Sequence, residues 1–364
     1  MSGSSFGKAF KITTFGESHG KGVGVVVDGV PAGLPLNEED IQIYLDRRKP
    51  GQSKFTTQRA ESDTVHILSG IFEGKTTGTP LAMIVYNEGQ RSKDYSAIAD
   101  IYRPGHADFG FDAKYGFRDY RGGGRSSGRE TIARVAAGAV AAKILKELGI
   151  SLCAYAKEIG GIAISGLDYD VMNSNPFYMP DSEAAGKVAE LAEQCIKEQD
   201  SLGGIIECRI NGIPAGIGEP VFDKLDAKLA QAIFSIGAVK GFEIGEGFGV
   251  AKMRGSQNND PFISLPPHSI KKTTNHAGGI LGGMSDGSEI VFRAAIKPTP
   301  SISRTQSTVN RNGENVEINI HGRHDPMIVP RAVVVVECMA AITVLDLMME
   351  NMGARIENLI KIYK

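Results

Sequence analysis

Two stretches of this chain resemble each other and decide the fold that we expect: VVVDGVPAGLPLNEEDIQIYL (residues 25–45) and CRINGIPAGIGEPVFDKLDAKL (residues 208–229). Each has an apolar run, then (Asp or Asn)-Gly-(Val or Ile)-Pro-Ala-Gly, a proline-containing loop and an amphipathic run. Glycine and proline in this arrangement mark a turn between a strand and a helix. The similarity favours an internal duplication of one strand–turn–helix unit, and a turn solution reached twice independently is the alternative.

Further apolar runs and capping residues predict strands and helices along the whole chain. Strands are predicted at 23–30, 65–72, 81–86, 204–210, 289–296 and 316–320. Helices are predicted at 38–47, 128–148, 182–199, 224–234 and about 330–352. The mixture predicts an α/β or α+β fold. No low-complexity linker divides the chain, so we expect one large domain over residues 1–364, with β-sheets flanked by helices. The longest loops, 87–127 and 252–288, are long enough to be functional.

The composition limits the classes of function. Hydrophobic residues make up 41% of the 364 residues, enough for a large core. A formal net charge of −2 argues against a global nucleic-acid-binding surface, so any attraction for anions must be local. The four cysteines form no Cys-x-x-Cys pair, which is typical of reduced, buried thiols. We find no signal segment and no membrane-spanning run, and we therefore expect a cytoplasmic protein.

The strongest local signal is RDYRGGGRSSGRE (residues 118–130), in which four arginines stand among four glycines and two serines. Ser127-Gly128-Arg129-Glu130 has the Ser-x-x-Glu pattern of a helix capping box, and an apolar helical run follows. The glycines should therefore lie at a helix N-terminus, where free N–H groups attract anions, and arginines add bidentate donors. The stretch predicts a site for a phosphate or polycarboxylate. A solvated loop and an RNA-binding segment remain the alternatives.

Two histidines in glycine-rich stretches are candidates for acid–base chemistry. His19 lies in TFGESHGKG and His106 in RPGHADFGF, and the chain has only seven histidines. Either histidine alone would more often be structural. HGRHDPMIVPR (residues 321–331) groups His, Arg and Asp side chains, but it lacks the partner set of a metal site, so we expect none.

Three more stretches add basic side chains, hydroxyls or open backbone: DRRKPGQSKFTTQR (46–59), KPTPSISR (297–304) and NHAGGILGGMSDG (275–287). Several loops suited to binding anions, together with two candidate acid–base histidines, indicate an enzyme that acts on a multiply anionic small molecule. A phosphatase or phosphotransferase, and an RNA-binding module, remain open as alternative functions.

Together these motifs resemble chorismate synthases. TTFGESHG, VDGVPAG, DRRKPGQS, YRPGHAD, DYRGGGRSSGRET, GEPVFDKLDA, TTNHAGGILGG, KPTPSI and GRHDP occur in that family's order, nearly from end to end. The resemblance implies a lyase that forms chorismate from 5-enolpyruvylshikimate 3-phosphate by anti-1,4-elimination of phosphate. It implies a requirement for reduced FMN without net redox change, with NADPH as a candidate reductant. It also implies a homotetramer that binds neither nucleic acid nor membrane.

The resemblance implies roles for individual residues as well. His19 and His106 match the family's general acids, and Asp325 matches a carboxylate near the flavin. The matching cofactor-binding positions are Arg125, Ser126, Ser127, Gly237, Ala238, Gly282, Lys297, Pro298, Thr299, Pro300, Ser301 and Arg323. The matching substrate-binding positions are Arg48, Lys54, Arg103, Ser127, Arg129 and Arg323. The chain departs from the family pattern at Lys54, where arginine is usual, and at Pro300, where a hydroxyl residue is usual. Lysine cannot provide a bidentate contact.

Overall fold

The structure is a computed structural model that describes residues 3–56, 61–87, 99–121, 123–266, 269–320 and 325–364. Its strands are β1 (Ser5–Phe6), β2 (Lys11–Gly16), β3 (Gly22–Asp28), β4 (Val65–Ser69), β5 (Ile71–Phe72), β6 (Lys75–Thr76), β7 (Leu81–Tyr86), β8 (Ser151–Ile159), β9 (Ile162–Ala163), β10 (Gly204–Asn211), β11 (Val239–Ile244), β12 (Phe262–Leu265), β13 (Ser269–Lys272), β14 (Ile280–Leu281), β15 (Met284–Ser285), β16 (Ile290–Ile296), β17 (Thr305–Val309) and β18 (Asn315–Asn319). Its helices are α1 (Glu38–Arg48), α2 (Asp108–Tyr115), α3 (Thr131–Glu147), α4 (Tyr169–Met172), α5 (Ser182–Lys197), α6 (Leu225–Phe234), α7 (Gly255–Asn258), α8 (Val329–Glu350) and α9 (Ile356–Tyr363).

Two five-stranded sheets enclose a layer of helices. Their strand orders are β1-β2-β3-β7-β4 and β11-β16-β10-β8-β9, and neighbouring strands run antiparallel. Helix α3 packs on the first sheet and α8 on the second, while α1 and α6 pack beside them. The antiparallel pairing confirms the α+β alternative of the predicted fold class. The helices flank the inner faces of both sheets.

The structure confirms the predicted internal duplication. Strands β3 and β10 each lie third in their sheet, and each is followed by a turn and then by a helix, α1 or α6. The turns begin at Gly29 and Gly212, whose φ angles of 84° and 85° favour glycine. A Cβ atom at Gly29 would lie 1.8 Å from the carbonyl oxygen of Ala9, and one at Gly212 would lie 2.4 Å from that of Gly149. Both turns therefore require glycine.

The duplication extends beyond the two similar stretches of sequence. The hairpins β5–β6 and β14–β15 brace the two Pro-Ala-Gly turns in the same way. Thr76 Oγ1 donates to the Pro31 carbonyl at 2.6 Å and accepts from the N–H three residues after that proline at 3.0 Å. Ser285 Oγ donates to the Pro214 carbonyl at 2.6 Å and accepts from the equivalent N–H at 2.9 Å. The repeated unit therefore runs from β2 to β7 and again from β8 to β16, and a long helix follows each.

Those two long helices, α3 and α8, pack against each other at the centre of the molecule. A Cβ atom at Gly138 of α3 would lie 2.2 Å from the Cβ of Cys338 of α8. The two helices are therefore too close together at this point for any residue other than glycine. The helical segment Val329–Gly353 contains an 18-residue window with a mean hydropathy of 2.2, so it is long and apolar enough to span a membrane. This corrects the expectation that the chain has no such run. However, 89% of that window is buried inside the protein, as in a core helix.

The remaining sequence predictions differ from the structure mainly in the loops. The predicted loop 87–127 contains helix α2, and 252–288 contains α7 and the hairpins β12–β13 and β14–β15. The four cysteines are free thiols, and Cys153 alone among them is only half-buried.

Candidate active site

The first cluster of predicted site residues surrounds Arg48, the last residue of α1. Its side chain is only 2% exposed, and its Nη2 lies 3.0 Å from Asp63 Oδ2. Its Nη1 donates to the Gly128 carbonyl at 3.3 Å and to Thr131 Oγ1 at 3.4 Å, at the start of α3. Burial lowers the pKa of Arg48 to about 10, although the charge of Asp63 acts in the opposite direction. Arg48 therefore spans from α1 to the N-terminus of α3.

Arg129 reaches the same buried carboxylate. Its Nη1 lies 3.0 Å from Asp63 Oδ1, while Arg48 holds the other oxygen. Arg129 also forms an ion pair with Glu61 and a hydrogen bond with Asn87. Two predicted substrate ligands are thus joined by one carboxylate that sequence reasoning did not identify.

His19 is tied to this cluster through Asn87. His19 lies in the turn between β2 and β3, and it is half-buried. The Asn87 side chain donates to the carbonyls of Glu17 and Gly20 on either side of it, at 2.9 Å each. Because Asn87 also accepts from Arg129, the histidine hairpin is connected to the arginine cluster by two successive hydrogen bonds.

Asp325 joins the cluster from the start of α8. It forms an ion pair with Arg331 in the first turn of that helix. Arg331 Nε in turn donates to the carbonyl of Arg48 at 3.0 Å. The N-termini of the two central helices therefore meet near Arg48, and the positive ends of both helix dipoles favour an anion there.

The second cluster is built around His106. Its Nδ1 lies 2.9 Å from the Pro104 carbonyl, which can only accept, so Nδ1 carries the hydrogen. In the neutral ring, Nε2 then accepts from the Ser301 hydroxyl at 3.0 Å. Burial and the charge of Arg103 lower the pKa of His106 below its usual value. His106 is accordingly neutral at pH 7.

Arg103 is paired with a carboxylate of its own. Its Nε and Nη2 donate to the two oxygens of Asp108 at 2.8 Å each, and both side chains are buried. Burial acts to raise the pKa of Asp108, but the hydrogen bonds and charge of Arg103 hold it below its usual range. The pair closes the loop before α2 and fixes the position of His106.

The loop of residues 297–301 packs against the His106 loop. Lys297 Nζ donates to the Gly105 carbonyl at 2.8 Å, and a Cβ atom at Gly105 would lie 2.6 Å from Pro300 Cβ. The backbone N–H of Lys297 donates to the carbonyl of Ala238 at 2.9 Å. Thr299 Oγ1 is buried without a hydrogen-bond partner among the described residues. The structure therefore brings the predicted cofactor-binding positions Ala238 and 297–301 together with His106.

A short segment before β10 connects the two clusters. Ser201 Oγ donates to the Thr299 carbonyl at 2.7 Å, and the Leu202 N–H donates to the Pro326 carbonyl at 2.9 Å. The 297–301 loop and Asp325 are thus held by adjacent residues of one strand segment. The predicted cofactor loop lies beside the predicted substrate cluster.

Three further predicted positions have other surroundings: one pairs with a neighbouring helix, one lies in a hairpin turn and one falls outside the described residues. Lys54 is 70% exposed and pairs with Glu193 of α5 at 2.6 Å, away from Arg48. Gly282 lies in the turn between β14 and β15. Arg323, with the neighbouring His321 and His324, falls outside the residues that the structure describes.

The four arginines of the glycine-rich stretch have four different environments. The Arg118 side chain is buried and pairs with Asp112 of α2, whereas the Arg121 side chain is exposed and pairs with the nearby Asp119. Arg125 donates to Thr14 Oγ1 of β2 at 2.6 Å. Of the four, Arg129 reaches the Asp63 cluster, so the predicted anion site draws on a smaller part of the stretch than its charge suggested.

The predicted capping box is only half formed. Ser127 Oγ accepts from the Arg129 N–H at 3.3 Å and caps a short 3₁₀ turn, and α3 begins at Thr131 rather than at 128. The Glu130 side chain turns away, because it accepts from Thr14 Oγ1 at 3.1 Å and from Arg134 Nε at 2.8 Å. The neighbouring Ser126 bonds its own loop through the Gly123 carbonyl.

Sequence reasoning missed three residues that organise the site: Asp63, Asn87 and Ser201. Asp63 follows the basic stretch 46–59. An acidic residue close to a basic stretch is a candidate ion-pair partner, and this was the one sequence signal for Asp63. Asn87 and Ser201 had no signal, because only the folded chain brings them to Arg129 and Thr299.

Comparison with known proteins places this architecture in a family. The model of the family described as chorismate synthase matches residues 10–349. Among similar proteins, the chorismate synthase of Agathobacter rectalis is 64% identical, with all of both chains covered. That of Chloroflexus aggregans is 54% identical over 98% of each chain, and that of Methanosarcina mazei is 55% identical over 96% of this chain and 97% of its own.

A solved structure supports the same assignment at the level of the fold. A crystal structure of chorismate synthase superposes with a TM-score of 0.77 at 31% sequence identity. The match covers 98% of this chain and 96% of that one. The chain therefore belongs to the chorismate synthase family of carbon–oxygen lyases.

Proposed function

We propose that this chain converts 5-enolpyruvylshikimate 3-phosphate into chorismate and phosphate by anti-1,4-elimination, with reduced FMN bound. The observation that carries the proposal is the convergence of Arg48 and Arg129 at the N-termini of α3 and α8. The substrate is a small molecule with one phosphate and two carboxylates. Two arginines and two positive helix ends supply the matching charge.

The residues around the 297–301 loop fit a flavin phosphate and ring. The buried, unpartnered Thr299 hydroxyl is a donor that a ligand would complete. Gly237 and Gly282 leave open space where a side chain would stand, so a flat group can approach their backbone. We infer that the cofactor is held by Arg125, Ser126, Ser127, Gly237, Ala238, Gly282, Lys297, Pro298, Thr299, Pro300, Ser301 and Arg323. When bound, reduced FMN supplies electron density that supports departure of phosphate and is regained in the same turnover.

On the substrate side, Arg48 and Arg129 would bind the anionic groups and stabilise the departing phosphate. Arg48 Nε is buried without a partner among the described residues, which leaves one donor for a ligand oxygen. His19 would donate a proton to the phosphate as the C–O bond breaks. An adjacent dianion favours the imidazolium form of a histidine, which suits that role. Arg103 and Lys54 are further proposed substrate contacts.

On the cofactor side, His106 would hold a proton at the flavin. Its Nδ1 hydrogen is fixed by the Pro104 carbonyl, and Ser301 faces Nε2. A bound anionic ligand would raise the pKa of His106 and bring it to the general-acid form. Asp325, held by Arg331, would assist the removal of the ring proton. Ring hydrogen and phosphate then leave the substrate without net redox change.

We further propose a cytoplasmic homotetramer that uses NADPH or an external reductant to reduce its flavin. The C-terminal helix supports assembly, because its apolar residues at helical spacing, Ile356, Leu359, Ile360 and Tyr363, are 40–81% exposed. Light scattering on the purified protein tests the tetramer. Flavin reduction by NADPH alone, followed under anaerobic conditions, tests the reductant.

One assay tests the reaction. Purified protein is mixed anaerobically with 5-enolpyruvylshikimate 3-phosphate and chemically reduced FMN, and chorismate and phosphate are both quantified. We expect equal amounts of the two products, and none with oxidised FMN. Phosphate without chorismate would instead indicate a phosphatase, and salt-sensitive RNA binding without turnover would indicate an RNA-binding module.

A further inference from the structure

We propose that Asp63 is a positioning residue that orients Arg48 and Arg129 toward the anionic groups of the substrate. This inference rests on the proposed function, since it assigns a role to a residue behind the proposed substrate ligands. Asp63 itself need not touch the substrate. It acts through the two guanidinium groups.

The first argument is the way in which the carboxylate is shared. The Asp63 side chain is 0% exposed, and its partners Arg48 and Arg129 are 2% and 12% exposed. One oxygen lies 3.0 Å from Arg48 Nη2 and the other lies 3.0 Å from Arg129 Nη1. Because each oxygen holds a different guanidinium, the carboxylate fixes the separation and the tilt of both groups.

The second argument is the backbone. Asp63 has a φ angle of 48°, in the left-handed region that few non-glycine residues adopt. Gln42 of α1 holds the chain on both sides of it, donating to the Asp63 carbonyl at 3.4 Å and accepting from the Val65 N–H at 3.1 Å. A strained conformation that is held from outside indicates that the side-chain position matters.

The third argument is a contrast with another buried carboxylate. Asp346 of α8 accepts from the backbone N–H groups of Lys8, Ala9 and Phe10 at 2.8–2.9 Å, and so it attaches the N-terminal segment to the core. Asp63 bonds side chains instead, and both of these side chains are proposed ligands. One carboxylate stabilises the scaffold, and the other sets the geometry of the site.

Simple neutralisation of charge is the competing explanation, and it predicts the opposite result. If Asp63 only reduced the positive charge near the site, its removal would strengthen the binding of an anion. If it sets geometry, a misplaced carboxylate of unchanged charge should weaken binding. Asp63→Glu separates the two explanations, because it keeps the charge and both oxygens but adds one methylene.

We expect Asp63→Glu to raise the Kd for 5-enolpyruvylshikimate 3-phosphate about ten- to a hundred-fold, the equivalent of one charge-assisted contact. Titration calorimetry measures this Kd, and steady-state kinetics should show the change mainly in KM. The matched control is Asp346→Glu, the same chemical change at a buried carboxylate 15 residues along α8 from Arg331. We expect it to lower the melting temperature and to leave Kd unchanged.

Asp63→Asn is the second variant. It suits the left-handed backbone but places an amide donor against a guanidinium, so it should also weaken binding. Unchanged or tighter binding in either variant would overturn the positioning role. Thermal stabilisation by inorganic phosphate is measured in parallel, because it depends on the arginines and not on the identity of the metabolite. If phosphate stabilises the wild-type protein but the substrate does not, the proposed function alone is refuted. If neither stabilises it, both the proposed function and the positioning role of Asp63 are refuted.

Discussion

The two halves of the molecule share a scaffold but differ in what they contribute to the site. In both, a glycine with φ near 85° ends the central strand, and a hydroxyl from a small hairpin braces the turn. They differ where the first two strands of each unit are joined. In the first half a tight turn carries His19, whereas residues 160–203 of the second half add α4, α5 and Ser201. The repeated parts build the fold, and the proposed acid–base residues lie in parts that are not repeated. Arg48, the last residue of the repeated helix α1, is a proposed ligand that the repeated scaffold itself supplies.

We expect the largest effect from a change in the non-repeated turn of the first half, which carries His19. His19→Ala should reduce kcat about 10²–10⁴-fold, the usual contribution of a general acid, while substrate and FMN still bind. Rapid-quench kinetics with saturating substrate measure it. His66→Ala serves as control, because His66 is exposed on β4 in the repeated part and should keep normal turnover. Near-normal kcat for His19→Ala would remove this histidine from the mechanism.

Arg129 lies at the end of the non-repeated glycine-rich stretch, and its replacement should have the next largest effect. Arg129→Ala should raise the substrate Kd about ten- to a hundred-fold, since one charge-assisted contact is lost. Calorimetric titration provides the value. Arg121→Ala is the control, because Arg121 pairs with the exposed Asp119 in the same stretch. Equal affinities for both variants would contradict the proposed substrate site.

The bracing hydroxyls of the repeated turns should affect stability and not catalysis. Thr76→Val and Ser285→Ala each remove the two hydrogen bonds that brace a turn, and each should lower the free energy of unfolding by about 1–3 kcal/mol. Denaturant titration measures both. Similar losses of stability with unchanged KM would support a purely structural role for the repeated turns. A loss of activity without a loss of stability would contradict that role.

The smallest effect concerns pH and His106. Its pKa in the folded protein is lowered by burial and by Arg103, whereas the unfolded chain has a value near 6.5. The resulting stabilisation is present above pH 6.5 and is lost as pH falls through the lowered pKa. Between these values wild type should lose at most about 1.4 kcal/mol per pH unit relative to His106→Gln. Thermal unfolding from pH 7 to pH 5 measures the difference, and the opposite slope would contradict the assignment.

The sequence predicted the repeated scaffold well because local signals mark it. The Pro-Ala-Gly turns, the Asn37 cap and the apolar runs gave α1, β3, β10 and α6 to within about three residues. Strands β2 and β8 were not predicted. Polar residues interrupt the apolar alternation in β2 (KITTFG), and in β8 (SLCAYAKEI) apolar residues occur on both faces.

For the candidate site, motif resemblance gave the residues but not their partners. His106 and Ser301 were both expected near the flavin, yet the hydrogen bond between them joins positions 195 apart in sequence. Asp63, Asn87 and Ser201 organise the site through contacts with residues 15 to 98 positions away in sequence. No periodicity or spacing encodes such contacts, since they depend on how separate segments of the chain pack.

The close approach of α3 and α8 at Gly138 has a mechanical consequence. With no gap between the two helices, one cannot slide along the other without forcing Cys338 into the backbone of its neighbour. We therefore expect the pair to act as one rigid unit, in which packing fixes the distance between Thr131 and Arg331. Under the proposed reaction, any opening that admits substrate or releases phosphate would then fall to the His19 turn and the surrounding loops.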